Sequence, residues 1–158
     1  MFQLSQKGLE AVKKELTRYE TKRSAVLPAL FIAQDENGGW VSPEVVKHLS
    51  DVMDIPMSQI NEVLTFYTMY NKKPVGKHHI QVCCNISCAM AGAHEMADYL
   101  CDKLGVNDGE VTKDGRFTIS RAECLGSCDT APVLQINRDD YIENLNYEKL
   151  DQLVKELK

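Results

Sequence analysis

Two short cysteine pairs constrain this chain more than any other feature of its sequence. Four residues separate Cys83 from Cys88, three separate Cys124 from Cys128, and some 35 residues lie between the pairs. In a reducing compartment, paired cysteines are more often metal ligands or redox groups than structural disulfides. The pattern therefore indicates a site of four thiolates, provided that the fold brings the two pairs together.

The composition is that of an ordinary globular protein. The chain has 158 residues, of which 44% are hydrophobic and 26% are charged. No apolar run reaches the roughly 18 residues that would suggest a membrane span. The N-terminus also lacks the basic and apolar regions of a signal peptide. We therefore expect a cytosolic chain, or one in an organelle matrix, without direct membrane insertion.

The formal net charge of −5 lies entirely in the second half of the chain. Residues 1–75 carry nine basic and nine acidic side chains, whereas residues 76–158 carry nine basic and 14 acidic ones. No basic stripe is available to bind phosphates, which argues against nucleic acid as a partner.

The first half has the pattern of short amphipathic helices. Apolar residues recur at spacings of three and four, and Ser5 and Ser42 are typical helix caps. Ser58 is expected to begin a fourth helix. A composition break at residues 71–77 marks the domain boundary. We therefore predict a helical bundle over residues 1–75.

The second half, residues 76–158, changes to a mixed pattern. In chain order it predicts a strand at 79–83, a helix at about 89–104, strands at 117–120 and 132–137, a turn at Asp139-Asp140, a strand at Tyr141-Ile142 and a helix at about 147–157. The fold class is therefore α+β, with the order β-α-β-β-β-α after the bundle.

The predicted strands place the cysteines. Cys83 ends the first strand and Cys124 follows the second, so both cysteine loops meet at one sheet edge if those strands are neighbours. Cys88 is expected just before the helix. Four thiolates at these spacings suit either zinc or a [2Fe–2S] cluster, and neither pair has the CxxC form common in zinc sites. The spacing leaves both metals open.

The remaining cysteines have simpler interpretations. Cys84 follows Cys83 in an extended segment, so its side chain should point to the opposite side and be buried. Cys101 lies on the predicted helix as a small apolar core residue. The chain has none of the hydrolase or nucleotide-binding motifs, so it is expected to carry electrons and to have no catalytic residue of its own.

At this point two blocks of sequence resemble a known family. The motif C-x4-C followed by C-L-G-x-C-x-x-A-P occurs at Cys83, Cys88 and residues 124–132, and the helical half adds Gly39-Trp40, Ser42-Pro43-Glu44 and the run at 63–69. From about Tyr19 to Lys158 the chain resembles the NuoE-type subunit of respiratory complex I (NADH:quinone oxidoreductase), of the thioredoxin-like [2Fe–2S] ferredoxin family.

The resemblance implies a fold, a cofactor and partners. Residues 76–158 would form a thioredoxin-like domain with a mixed sheet of about four strands flanked by helices. Cys83, Cys88, Cys124 and Cys128 would hold one [2Fe–2S] cluster. The cluster would accept single electrons from the flavin of a NuoF-type subunit that carries FMN and the NADH site. Other peripheral-arm subunits would also be partners.

The same resemblance implies a location on the cytoplasmic side of the inner membrane, or on the matrix side in a mitochondrion. Two alternatives remain at this stage. One is the equivalent subunit of an NAD-linked hydrogenase or formate dehydrogenase, and the other is a structural four-cysteine zinc module. In the helical half, Trp40, Phe66 and Tyr67 could anchor a partner surface or belong to the core.

Overall fold

The computed structural model describes residues 2–138 and 140–157. Its residues cluster into two compact units, Met1–Pro74 and Val75–Lys158. Each unit has its own hydrophobic core.

Within the described part of the first unit the secondary structure is helical. The helices are α1 (Gln6–Arg18), α2 (Val26–Glu36), α3 (Pro43–Met53) and α4 (Met57–Phe66). The Ser5 and Ser42 side chains cap α1 and α3 by accepting from the backbone N–H groups of Gly8 and Val45. The prediction that Ser58 begins the fourth helix is wrong. Pro56, with φ −61°, precedes the first helical residue and no side chain caps α4.

A buried polar contact fixes the segment that follows α4. The Gln34 side chain is 3% exposed, and its Oε1 accepts from the Asn71 N–H at 2.7 Å. The Asn71 side chain in turn donates to the Gly39 carbonyl at 2.8 Å. The chain therefore leaves the bundle along a defined path.

The second unit contains, in its described part, a mixed sheet in the order β2-β1-β3-β4. Its elements are β1 (His78–Cys83), α5 (Ile86–Met90), α6 (Ala93–Leu104), β2 (Phe117–Ala122), a 3₁₀ turn at Cys128–Thr130, β3 (Leu134–Ile136), β4 (Asp140–Ile142) and α7 (Tyr147–Glu156). Strand β1 runs parallel to β2 and antiparallel to β3, which pairs antiparallel with β4.

The predicted fold class and element order are confirmed, with one change. The single helix expected over 89–104 is divided into α5 and α6, because Gly92 has a left-handed backbone (φ +85°) that ends one helix before the next begins. Asp139 of the predicted hairpin turn lies outside the described residues, and Asp140 already belongs to β4.

The core of the second unit lies between the sheet and its helices. It includes Ile80, Val82, Leu100, Ile119, Leu134 and Leu150. Helix α6 ends at Leu104 and is capped by Gly105, whose left-handed conformation (φ +64°) is favourable only for glycine and a few polar residues. The sheet is thus held by apolar packing of the buried residues along its strands.

Candidate metal centre

Both cysteine loops leave the same edge of the sheet, as the sequence predicted. The parallel register of β1 and β2 places Cys83 opposite Ala122, two residues before Cys124. The Cys84 N–H extends this ladder by donating to the Ala122 carbonyl at 2.9 Å. The two thiol pairs are therefore brought to one region by the strand pairing itself.

The first loop folds into a short helix that carries Cys88. The Asn85 side chain accepts from the Ile86 N–H at 2.8 Å and so starts α5. The expectation that Cys88 precedes the helix is wrong, because it lies inside α5. Cys83 and Cys88 are each 2% exposed, so the first pair is buried.

The second loop carries two exposed cysteines, and side chains of β4 and of Glu143, the residue after β4, form hydrogen bonds to it. Cys124 and Cys128 are both exposed. The Tyr141 hydroxyl donates to the Leu125 carbonyl at 3.1 Å, and the Ser127 hydroxyl donates to the Glu143 carboxylate at 3.0 Å. Gly126 makes the turn between them with φ +75°. The loop backbone is therefore fixed although its two cysteines are exposed.

The two buried thiols differ in acidity. Burial is the largest influence on Cys83 and opposes ionisation. The backbone N–H groups of Asn85 and Leu125 and the Cys88 thiol together outweigh it, so the pKa of Cys83 is lowered. For Cys88, burial and the hydrogen bond to Cys83 raise the pKa to about 11, against the opposing N–H of Val133. In the metal-free pair the pKa of Cys83 therefore lies below that of Cys88.

The four predicted ligands differ in how closely the structure brings them together. Cys83 and Cys88 interact directly, and the charge of Cys128 acts on Cys88. Leu125, next to Cys124, directs its N–H towards Cys83. Across residues 2–138 and 140–157, no group of three or more His, Cys, Asp or Glu side chains is arranged so that it could hold a metal ion.

The groups at this edge fit a [2Fe–2S] cluster in their chemistry. Such a cluster is bound by thiolates, and N–H groups directed at the sulfurs stabilise its negative charge. Here backbone N–H groups of Asn85, Leu125 and Val133 act on the two buried sulfurs. Sequence reasoning missed these donors, since backbone groups leave no residue pattern. Only Asn85, as a helix cap, could have been found.

Cys84 and Cys101 have different environments from the pair. The expectation that Cys84 is buried is wrong, because it is half-buried and its thiol donates to the Val82 carbonyl at 3.5 Å. Burial raises the pKa of Cys84, against the opposing charge of Arg121. Cys101 is 9% exposed within the core, as predicted.

The three aromatic candidates in the first unit also separate. Trp40 and Tyr67 are half-buried, and Tyr67 packs against the core of the helical unit. Phe66 is 77% exposed, and its ring makes an edge contact with Tyr67 at 4.9 Å between centroids. Of the three, Phe66 alone is presented largely to solvent.

Comparison with known proteins gives a consistent result. Residues 12–158 match the model of the thioredoxin-like [2Fe–2S] ferredoxin family. The chain is 43% identical over 159 residues to the E subunit of the NADH-quinone oxidoreductase of Rickettsia bellii, covering 99% of this chain and 95% of that protein. It is 42% identical over 135 residues to subunit 2 of the NADH-quinone oxidoreductase of Thermus thermophilus, covering 85% of this chain and 74% of that protein.

Solved structures add a likeness of fold. A crystal structure of an NAD⁺-reducing [NiFe]-hydrogenase in the air-oxidised state superposes with a TM-score of 0.72 at 22% identity, over 87% of this chain and 24% of the hydrogenase chain. Among the described residues, none of the helices is both long and apolar enough to cross a membrane.

Proposed function

Because the chain belongs to the thioredoxin-like [2Fe–2S] ferredoxin family, we propose that it is the electron-transfer subunit of the NADH dehydrogenase module of an NADH-quinone oxidoreductase. The observation that carries the proposal is sequence identity of 43% along almost the whole of a relative named as the E subunit of that complex. Identity at this level extends over both compact units and not only over the cysteine motif.

The proposed ligands of the cluster are Cys83, Cys88, Cys124 and Cys128. Their support is the parallel pairing of β1 with β2, which delivers both loops to one edge of the sheet. A [2Fe–2S] cluster supplies one-electron redox chemistry at such a site.

The surrounding residues have defined tasks in this proposal. The lowered pKa of Cys83 makes it the thiol that is most readily available as a thiolate ligand of the buried pair. Burial of Cys83 and Cys88 keeps water from one side of the site. The N–H groups of Leu125 and Val133 stabilise negative charge on the sulfurs. This matters for the proposed role because a cluster becomes more negative when it accepts an electron.

The electron donor in the proposal is a flavin. A NuoF-type partner would hold FMN and the NADH site, and this chain would take single electrons from the reduced flavin. The assembly would place the chain at the cytoplasmic face of the inner membrane, or the matrix face in a mitochondrion, through its partner subunits. The likeness to the hydrogenase concerns the fold alone, so sequence identity favours the quinone-reducing complex.

Anaerobic reconstitution with iron and sulfide tests the proposed ligands. The purified chain should bind two irons, become red-brown and give an EPR signal on reduction. Serine at Cys83, Cys88, Cys124 or Cys128 should abolish or strongly alter that signal, because each substitution removes one thiolate. Cys84→Ser is the matched control, since it lies in the same loop and should leave iron content unchanged.

Reduction by NADH tests the proposed role. The loaded chain should be reduced by NADH only when the flavin-bearing subunit of the same genome is added. A colourless chain with one zinc would contradict the cluster and support a structural zinc module. A full cluster spectrum in Cys124→Ser would contradict the ligand assignment.

A further inference from the structure

Helix α5 presents two large apolar side chains to solvent beside the metal centre. Ile86 is 74% exposed and Met90 is 87% exposed. They are four residues apart, so they lie on the same side of the helix. Cys88 is in the same short helix but is buried. One face of α5 therefore supports the metal centre, and another is left uncovered.

This exposure differs from that of other apolar side chains in the described part of the second unit. Val111 is 37% exposed, Tyr141 43% and Tyr147 48%. Tyr141 uses its hydroxyl to hold the Leu125 carbonyl, and Tyr147 packs edge-on against the Tyr99 ring. Ile86 and Met90 are therefore the most exposed large apolar side chains in the described part of this unit.

The charge of the segments around the metal centre is negative. Neither residues 78–102 nor residues 122–137 contain a lysine or arginine. The acidic residues Glu123 and Asp129 flank the second cysteine pair. Arg121, which precedes the second of these segments, is already ion-paired with two aspartates. Within these two segments the fully charged side chains are therefore all carboxylates, and Lys149 of α7 donates to the carbonyl of Glu143, which is hydrogen-bonded to the second loop, at 2.9 Å.

An apolar centre with a polar rim is the usual composition of a protein docking surface. Methionine is enriched in the centres of such surfaces, and charged residues there are depleted. The acidic rim selects a partner whose own rim is basic, because complementary charge speeds association and disfavours other partners. A membrane surface with anionic lipids is disfavoured by the same charge.

We propose that Ile86 and Met90 are the contact by which this chain docks on the flavin-bearing subunit, at a site with an apolar pocket and basic residues around it. The inference rests on the proposed function. Electron transfer slows steeply with distance, and a partner seated on α5 is within one helical turn of Cys88. The same surface would therefore give binding and a short electron path.

Binding of the cluster-loaded chain to the purified flavin-bearing subunit of the same genome tests this contact. The variant is Ile86→Gln with Met90→Gln, since glutamine keeps helix propensity while adding polarity. We expect roughly thirtyfold weaker affinity, as is typical when central apolar anchors are removed. Val111→Ser is the control. Val111 bridges to Thr118, far along β2 from Ala122, and its substitution should leave affinity unchanged.

A second variant tests the charge of the rim independently of α5. Glu95 lies just beyond that helix, with its Oε2 3.8 Å from the position that a methyl group on Gly92 would take. Glu95→Gln with Glu123→Gln should slow association at low ionic strength and reduce the dependence of the association rate on salt. The cluster spectrum of each variant reports whether the loop has kept its fold. Faster association of this charge variant would overturn the proposal that the partner's docking site carries basic residues.

The outcomes separate the inference from the function on which it rests. Unchanged affinity in the glutamine variant of α5, with wild-type chain binding and accepting electrons, overturns the docking contact and leaves the function standing. Loss of self-association with partner binding intact assigns the face to a second copy of this chain and also overturns it. A loaded wild-type chain that fails to bind the flavin-bearing subunit refutes the proposed function, and the docking inference falls with it.

Discussion

Gly76 has no room for a side chain, and Gly76→Ala should weaken the second unit severely. A methyl group built on Gly76 would lie 2.5 Å from the carbonyl carbon of Phe117, 2.7 Å from its nitrogen and 2.8 Å from its Cα. All three are backbone atoms of β2, so no side-chain rotation can relieve the clash. The buried Gly76 N–H also donates to the Thr118 hydroxyl at 2.8 Å.

The size of the effect follows from these distances. Ordinary contact begins near 3.4 Å, so the two backbones must separate by almost an ångström where the segment before β1 approaches the start of β2. Overpacking of this kind costs about 1–3 kcal/mol. Loss of the buried hydrogen bond adds about 1–3 kcal/mol. Reduced freedom of the unfolded chain returns less than about 1 kcal/mol. We expect a net loss of about 3 kcal/mol in unfolding free energy.

Urea unfolding and thermal unfolding of the metal-free chain, each followed by circular dichroism, measure that loss. For a domain of this size, a loss of about 3 kcal/mol corresponds to a decrease in Tm of about 12–24 °C. Gly109→Ala is the control, because a methyl group at Gly109 would meet no other atom. Its only cost is the left-handed backbone (φ +76°) that alanine would have to adopt, at about 1 kcal/mol. Trp40, the single tryptophan, lies in the first unit and reports that unit separately.

The opposite result would refute the reasoning. If residue 76 were part of a flexible connection between the units, alanine would leave stability unchanged or increase it slightly through the unfolded state. An unfolding midpoint for Gly76→Ala equal to or above that of the wild-type chain would therefore mean that the contact with Phe117 does not exist in solution.

Three further perturbations have defined outcomes. Burial lowers the pKa of His79, so the free energy that its neutral ring contributes to unfolding should be fully present above about pH 6.5, the unfolded pKa, and decrease as the pH falls below it. The urea midpoint of His79→Gln should therefore fall less than that of the wild-type chain on acidification. An equal fall in the two proteins would contradict this expectation. Gln34→Ala leaves the Asn71 N–H without its acceptor, so Trp40 fluorescence should report a loss of about 1–3 kcal/mol in the first unit; an unchanged midpoint would show that water replaces the amide. Cys101→Ala should cost about 1 kcal/mol and leave cluster content intact; loss of iron would give Cys101 a role in the site.

The elements that local sequence determines were predictable. Ser5 and Ser42 cap their helices by the contacts that such residues usually make. The strand patterns of β1 and β2 were recognisable, and the placement of both loops at one edge followed once these strands were taken as neighbours. These features depend on a few neighbouring residues, and a single sequence contains that information.

Features that depend on backbone conformation or on distant contacts were not predictable. The break at Gly92 depends on a left-handed φ that a glycine can adopt but need not adopt. Gly76 looks like part of a linker until the approach of Phe117 is known. In the candidate metal centre, the cysteines were recognisable, whereas the N–H groups of Leu125 and Val133 depend on how the loops pack.

The parallel pairing of β1 with β2 also sets an order of events in biosynthesis. Parallel neighbours require a long crossover, here through α5 and α6, before their ends can meet. The ribosome releases Cys83 and Cys88 well before Cys124, and the second pair can reach them only after β2 has docked. Until then, the nascent chain offers a loop with three thiols, Cys84 included. The proposed set of four thiolate ligands is therefore complete only once β1 and β2 have paired, so insertion of the proposed cluster would have to follow folding of this unit.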